Sequence, residues 1–308
     1  MTTADRPEIG RIARLLRLRP EQLSFLGDVD DADLIAFRGQ LTSTLFDANA
    51  GVLTRLGSAA KLLPAPVLAK IAERVFGPLL CARIAGVIDP AKASEVAARL
   101  PVDFLTDVAV ELDPRRVKQV IRALPNDMVA DVARALARRE DWITLGQFVG
   151  FLAEGHLTAA VDALDDVQLL RTAHTVDDVS AIPVVVDVVS TARLSALFTA
   201  AAQEDLFDAL LRLATHLRDD QLEPLAEAIM AAKRGTLDRL VAAAATCGRW
   251  DALLPMAAAL PADAKAGVAD SVRELAPEVR ADIAEQATSL GVHEDLGPIA
   301  DALAERAA

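Results

Sequence analysis

Residues 90–113 read PAKASEVAARLPVDFLTDVAVELD, and residues 114–137 follow as PRRVKQVIRALPNDMVADVARALA. Aligned without gaps, nine of the 24 positions are identical, among them Pro90/Pro114, Leu100/Leu124, Pro101/Pro125, Asp107/Asp131 and Leu112/Leu136. Each unit reads as two short helices, and each helix opens with a proline, whose missing N–H has no partner in the first turn anyway. The apolar spacing is helical: Val117, Val120, Ile121 and Leu124 fall at i, i+3, i+4 and i+7. Helices this short are unstable alone and must stack on their neighbours. A weaker copy starts 24 residues earlier, at Pro66, and ends in Ile88-Asp89.

Towards the C-terminus the period lengthens. FDALLRLATHL, residues 207–217, returns as WDALLPMAAAL at 250–260 and as HEDLGPIADAL at 293–303, so the spacing is 43 residues both times. Leu210/Leu253/Leu296, Ala214/Ala257/Ala300 and Leu217/Leu260/Leu303 are held. Three helices per copy are expected, with Gly235, Gly248 and Gly291 as helix stops. A period of this size belongs to helical arrays of the HEAT and armadillo kind. Between the two arrays, WITLGQFVGFL (142–152) and IPVVVDVV (182–189) are strongly apolar. The β-branched run 184–189 reads alone as a strand; between helical repeats it is expected as a buried helix. The expectation is an all-α chain, an α-solenoid of short stacked helices. It divides into an N-terminal helical cap (1–65), short-helix repeats (66–137), an apolar connector (138–204) and the 43-residue repeats (205–308).

The chained pattern in LPVDFLTDVAVEL, LPNDMVADVARAL and LPADAKAGVADSVREL is a Leu-Pro pair, two polar residues and a short apolar helix. In residues 66–137, with an echo at 260–275, it resembles the cytoplasmic N-terminal domain of MgtE magnesium transporters. The resemblance implies a superhelix of short helices with a regulatory or adaptor role. It does not imply transport, because the sequence has neither transmembrane segments nor a strand pattern for the CBS domains of that family.

Composition narrows the function classes. The 308 residues carry 32 Lys plus Arg against 45 Asp plus Glu, a formal charge of −13, with 53% apolar but only 4% aromatic side chains. The deficit lies in the C-terminal half: residues 1–140 hold 20 basic and 18 acidic side chains, residues 201–308 hold 10 and 19. An acidic half repels phosphate backbones and few aromatics are present for base stacking, so nucleic acid is not an expected partner. Two cysteines, Cys81 and Cys247, make no disulfide framework or zinc cluster. MTTADRPEIGR has no apolar leader core, and the most apolar stretch, 62–88, is interrupted by Lys70, Glu73, Arg74 and Arg83. A cytoplasmic location is expected.

Chemical motifs are missing. No nucleophile elbow, Walker A loop, Gly-rich dinucleotide loop or C-x-x-C occurs, and His156, His174, His216 and His293 are never four apart. Asp28-Val-Asp30-Asp31-Ala-Asp33 lacks the glycine and the final glutamate of a calcium loop, and reads as a helix start. No enzyme activity, metal or cofactor is expected. The leading expectation is a non-enzymatic scaffold or adaptor for a protein partner, with Arg115, Arg116, Lys118 and Arg122 as a basic patch facing an acidic surface. The alternative is a peripheral membrane or lipid-binding protein, at the inner membrane face, using Arg11, Arg14 and Arg17 interleaved with Leu15 and Leu16.

Overall fold

The structure is a computed structural model and describes residues 6–47, 50–60, 62–231 and 235–305; the first five residues of the leader reading lie outside these. Among the described residues there are 21 α-helices, a few short stretches of other helix types, and no strand. No helix among them is long and apolar enough to cross a membrane. The chain divides into two compact units, with the boundary inside the connector expected at 138–204. Unit 1 runs to Leu164 and also holds Thr175–Asp177; unit 2 holds Asp165–His174 and everything from Asp178 onward.

Unit 1 begins with α1 (Pro7–Leu16), α2 (Asp31–Asp47), α3 (Ala50–Ala60), α4 (Ala65–Ile71) and α5 (Gly77–Ala85). The 24-residue stretches then form α6 (Pro90–Ala97) with α7 (Val102–Glu111), and α8 (Pro114–Arg122) with α9 (Asn126–Arg138). Pro90 and Pro114 lie in the first turn, but Pro101 and Pro125 sit one position earlier, as N-caps. Their carbonyls take the first helical bonds, from Leu105 at 3.0 Å and Val129 at 3.2 Å. Asp89 and Asp113 cap the other two helices, accepting from Lys92 N and Arg115 N. Alternate helices are neighbours: α5 packs on α7, α7 on α9, and α9 on α11 (Glu154–Ala163), while α6 packs on α8. α10 (Trp142–Phe148) lies between α9 and α11 in sequence and touches α1.

The core of unit 1 is distributed. Ile9, Ile12, Ala13, Leu23 and Leu34 form one cluster around α1, and Ala60, Ala65, Leu68, Ala69 and Val96 another around α4. Burying a side chain such as Ile12 contributes about 1.5–3 kcal/mol. That term, not intrinsic helicity, holds such short helices in place.

Unit 2 contains α12 (Asp166–His174), α13 (Ile182–Asp187) and α14 (Thr191–Glu204), then α15 (Phe207–Ala214), α16 (Asp219–Met230) and α17 (Thr236–Cys247). The chain ends in α18 (Trp250–Ala259), α19 (Ala262–Arg273), α20 (Pro277–Ser289) and α21 (Pro298–Ala304). One continuous apolar cluster runs from Leu170 to Leu303 and includes Phe207, Trp250 and Leu296. Residues 182–187 are helical, but the expectation of burial is corrected: Ile182 is buried while Val184 is 41% exposed. A one-and-a-half-turn helix has two sides, and its valines cannot all face inward. Gly248 and Gly291 have positive φ at the ends of α17 and α20, as a helix stop requires. Gly235 corrects its reading, because its φ of 84° places it as the N-cap of α17.

Candidate arginine cleft in unit 1

Asp113 starts α8 and faces its own first turn. The carboxylate accepts from Arg115 N and pairs with Arg115 Nε at 3.1 Å and Arg116 Nε at 3.5 Å. This end of α8 lines a cleft of about 190 Å³ within unit 1. Arg11 and Arg14 reach the cleft from α1, with Arg17 from its C-cap; Arg38 comes from α2 and Arg83 from α5. Seven guanidiniums therefore share the lining with three carboxylates, Glu111, Asp113 and Asp177. In a chain of net charge −13 this is a local reversal of sign. A concave surface with one sign of charge focuses its field and attracts the opposite sign.

The floor is braced by a buried ion network. Glu8, Arg11 and Arg38 are 4%, 5% and 8% exposed. Arg38 donates from Nε to Glu8 Oε2 at 2.9 Å, and Arg11 donates to Glu8 Oε1 and to the Thr175 carbonyl. Burial disfavours the charged form of Arg38, but Glu8 and Asp177 outweigh it, so its pKa lies above the ordinary arginine value. Arg38 stays charged. Arg14 is fixed from behind by Asp141, which is also the N-cap of α10, and by Thr144 Oγ1. Of the cleft arginines, two keep donors without an acceptor among the described residues: Arg11 at its buried Nε, and Arg83, which makes no hydrogen bond or ion pair with them.

The structure brings together residues from both expected patches. Arg115 and Arg116 line the same cleft as Arg11, Arg14, Arg17 and Leu15. Lys118 and Arg122 lie further along α8, outside it. The picture of α1 as a membrane-facing helix is corrected in one respect. Its apolar side, Ile9, Ile12 and Ala13, is buried in the unit 1 core, and Leu16 packs half-buried against that cluster. Arg11 belongs to the buried side as well, because Glu8 stands three residues before it and supplies the counter-charge. Arg38 and Arg83 escaped the sequence reading: each is a lone arginine in an apolar or mixed helix, and only the cleft that α1, α2, α5 and α8 line together gives them company.

The other polar residues find structural roles. His156 is buried, and its Nε2 donates to the Leu124 carbonyl at 2.9 Å, joining α11 to the end of α8. Asp107 pairs with Arg139 and Asp131 with Arg134 on the surface. Asp31 and Asp33 lie in the first turn of α2. Among the described residues no group of three or more His, Cys, Asp or Glu is placed to hold a metal ion. Against family models, curated protein sequences and solved structures alike, the chain finds no match.

Proposed function

We propose that the protein is a non-enzymatic helical-repeat scaffold, of the α-solenoid type, that receives an acidic segment of a protein partner in the unit 1 arginine cleft. The observation that carries this reading is the convergence of seven arginines from four helices on one concave surface. The alternating packing α5–α7–α9–α11 supports the repeat part of the reading, since stacked short helices present such surfaces. The kinship of residues 66–137 to the MgtE N-terminal domain belongs to the same proposal, and rests on the Leu-Pro spacing and the short helix pairs. It carries a fold and an adaptor role, without transport.

Native mass spectrometry of the protein gently purified from its own cells tests this directly. A stoichiometric protein companion is expected, and it is expected to be lost on Arg115→Glu with Arg116→Glu. The reversal Lys118→Glu with Arg122→Glu should leave it, because those two side chains lie outside the cleft. A companion that survives the first pair of changes contradicts the reading. A bound mass of lipid size in place of a protein contradicts it too, in favour of lipid handling.

A further inference from the structure

Resting on the reading that this cleft is the binding surface, we propose that the group it receives is a phosphate monoester dianion, held by Arg83, Arg115 and Arg116 above the braced guanidiniums of Arg11 and Arg38. A carboxylate offers two oxygens and one charge, and a single arginine fork satisfies it. The cleft already contains that arrangement, since Asp177 takes Arg38 on both oxygens and Asp113 takes Arg115 on both. After those pairings cationic donors are still in excess: among the described residues Arg83 has no acceptor, and Arg11 Nε is buried without one. A phosphate monoester brings three acceptor oxygens and nearly two charges, which suits donors arriving from several helices.

The floor needs no rearrangement to receive it. Glu8 and Asp177 hold Arg11 and Arg38 in place without a ligand, so their positive field is preorganised. The rim is adaptable. Arg115, 46% exposed, holds Asp113 in a pair that contributes little and is readily exchanged for a better anion, while Arg116, 28% exposed, reaches the same carboxylate at 3.5 Å. Both stand in the first turn of the nine-residue α8, where the peptide dipoles also favour negative charge.

The test is calorimetric titration of the full chain, at fixed ionic strength, with inorganic phosphate, phenyl phosphate and succinate. Saturable one-to-one binding of both phosphates is expected near neutral pH, with succinate at least about tenfold weaker. Arg83→Gln, and separately Arg115→Gln with Arg116→Gln, should each weaken phosphate at least about tenfold. Lys118→Gln with Arg122→Gln serves as the folded control and should change little. Lowering the pH through the second ionisation of phenyl phosphate, near 6, should weaken its binding as the dianion is lost. A short capped peptide carrying phosphoserine separates the sources. Binding tighter than phenyl phosphate assigns the group to a protein partner; weaker binding assigns it to a soluble phosphorylated molecule. Either supports the dianion assignment. Succinate as tight as phosphate overturns that assignment while leaving an acidic partner in the cleft. No saturable binding, or phosphate binding indifferent to the arginine changes, overturns it outright, and the companion in the native spectrum then decides the scaffold reading separately.

Discussion

Arg38 and Asp177 stand 139 residues apart in the chain, and Nη2 of the arginine donates to both carboxylate oxygens of the aspartate at 2.8 Å. Arg38 also binds Glu8, so α1, α2 and the three-residue segment Thr175–Asp177 are tied at one point. Removing one partner of a buried pair leaves the other charge uncompensated, a loss of roughly 3–5 kcal/mol. Glu8→Gln should approach that range, and Asp177→Asn should fall below it because Asp177 is partly exposed. Urea unfolding of both single variants and the double variant measures this. The two changes should be non-additive, since both act through Arg38.

Gly146 gives a second prediction. It lies inside α10 with the Thr175 carbonyl directly where a Cβ would stand, and Asp177 N donates to the Gly146 carbonyl at 3.4 Å. In an exposed helix Gly→Ala gains up to about 1 kcal/mol. Here a methyl group meets backbone, which cannot swing aside, and overpacking of that kind costs about 1–3 kcal/mol. Gly146→Ala should therefore lower the thermal midpoint, while Gly267→Ala in α19, where nothing lies within 4 Å, should raise it slightly.

Trp250 anchors unit 2. It is 3% exposed, and its Nε1 donates to Asp282 at 2.9 Å, linking α18 to α20. Trp250→Phe keeps most of the buried area and loses one hydrogen bond, at about 1 kcal/mol. Trp250→Ala should cost about 3–5 kcal/mol. Chemical denaturation followed by circular dichroism distinguishes the two.

The cysteines make a pH prediction. Burial pushes the Cys81 thiol up to about 11, from an ordinary 9.0. The folded state thus holds its proton where the unfolded chain releases it. The resulting stability is complete below pH 9 and disappears as pH rises towards 11. Cys247 is exposed, and its pKa is raised first by desolvation and then by Asp208. Titration with a thiol reagent at pH 8 should modify both slowly, with Cys247 ahead of Cys81. Cys81→Ser should flatten the alkaline loss.

Much of the local architecture is legible in the chain because proline, aspartate and the 3.6-residue apolar spacing act over a few residues. Asp113-Pro114 announces α8, and Leu100-Pro101 announces α7, without any knowledge of neighbours. The run 182–189 shows the limit of that logic: surrounding helices settle its type, but how deeply each valine is buried depends on what packs against it. The cleft was half legible. Arg115 and Arg116 stand out in PRRVKQVIR, and Arg11, Arg14 and Arg17 stand out in RIARLLRLR. That they face each other depends on the path of α2 to α5 between them. The burial of Arg11 was hidden for a related reason, since an arginine beside isoleucines looks solvent-facing until Glu8, one turn earlier, is counted as its counter-ion.

The proposed function places the partner in the unit 1 cleft. Its most direct test is photo-crosslinking in cells from position 147, where Gln147 lines the cleft, with exposed Glu285 of unit 2 as the control position. One dominant protein adduct is expected from position 147, absent from 285 and abolished by Arg115→Glu with Arg116→Glu. The same adducts from both positions, or an adduct at 147 that survives those two charge reversals, would contradict it.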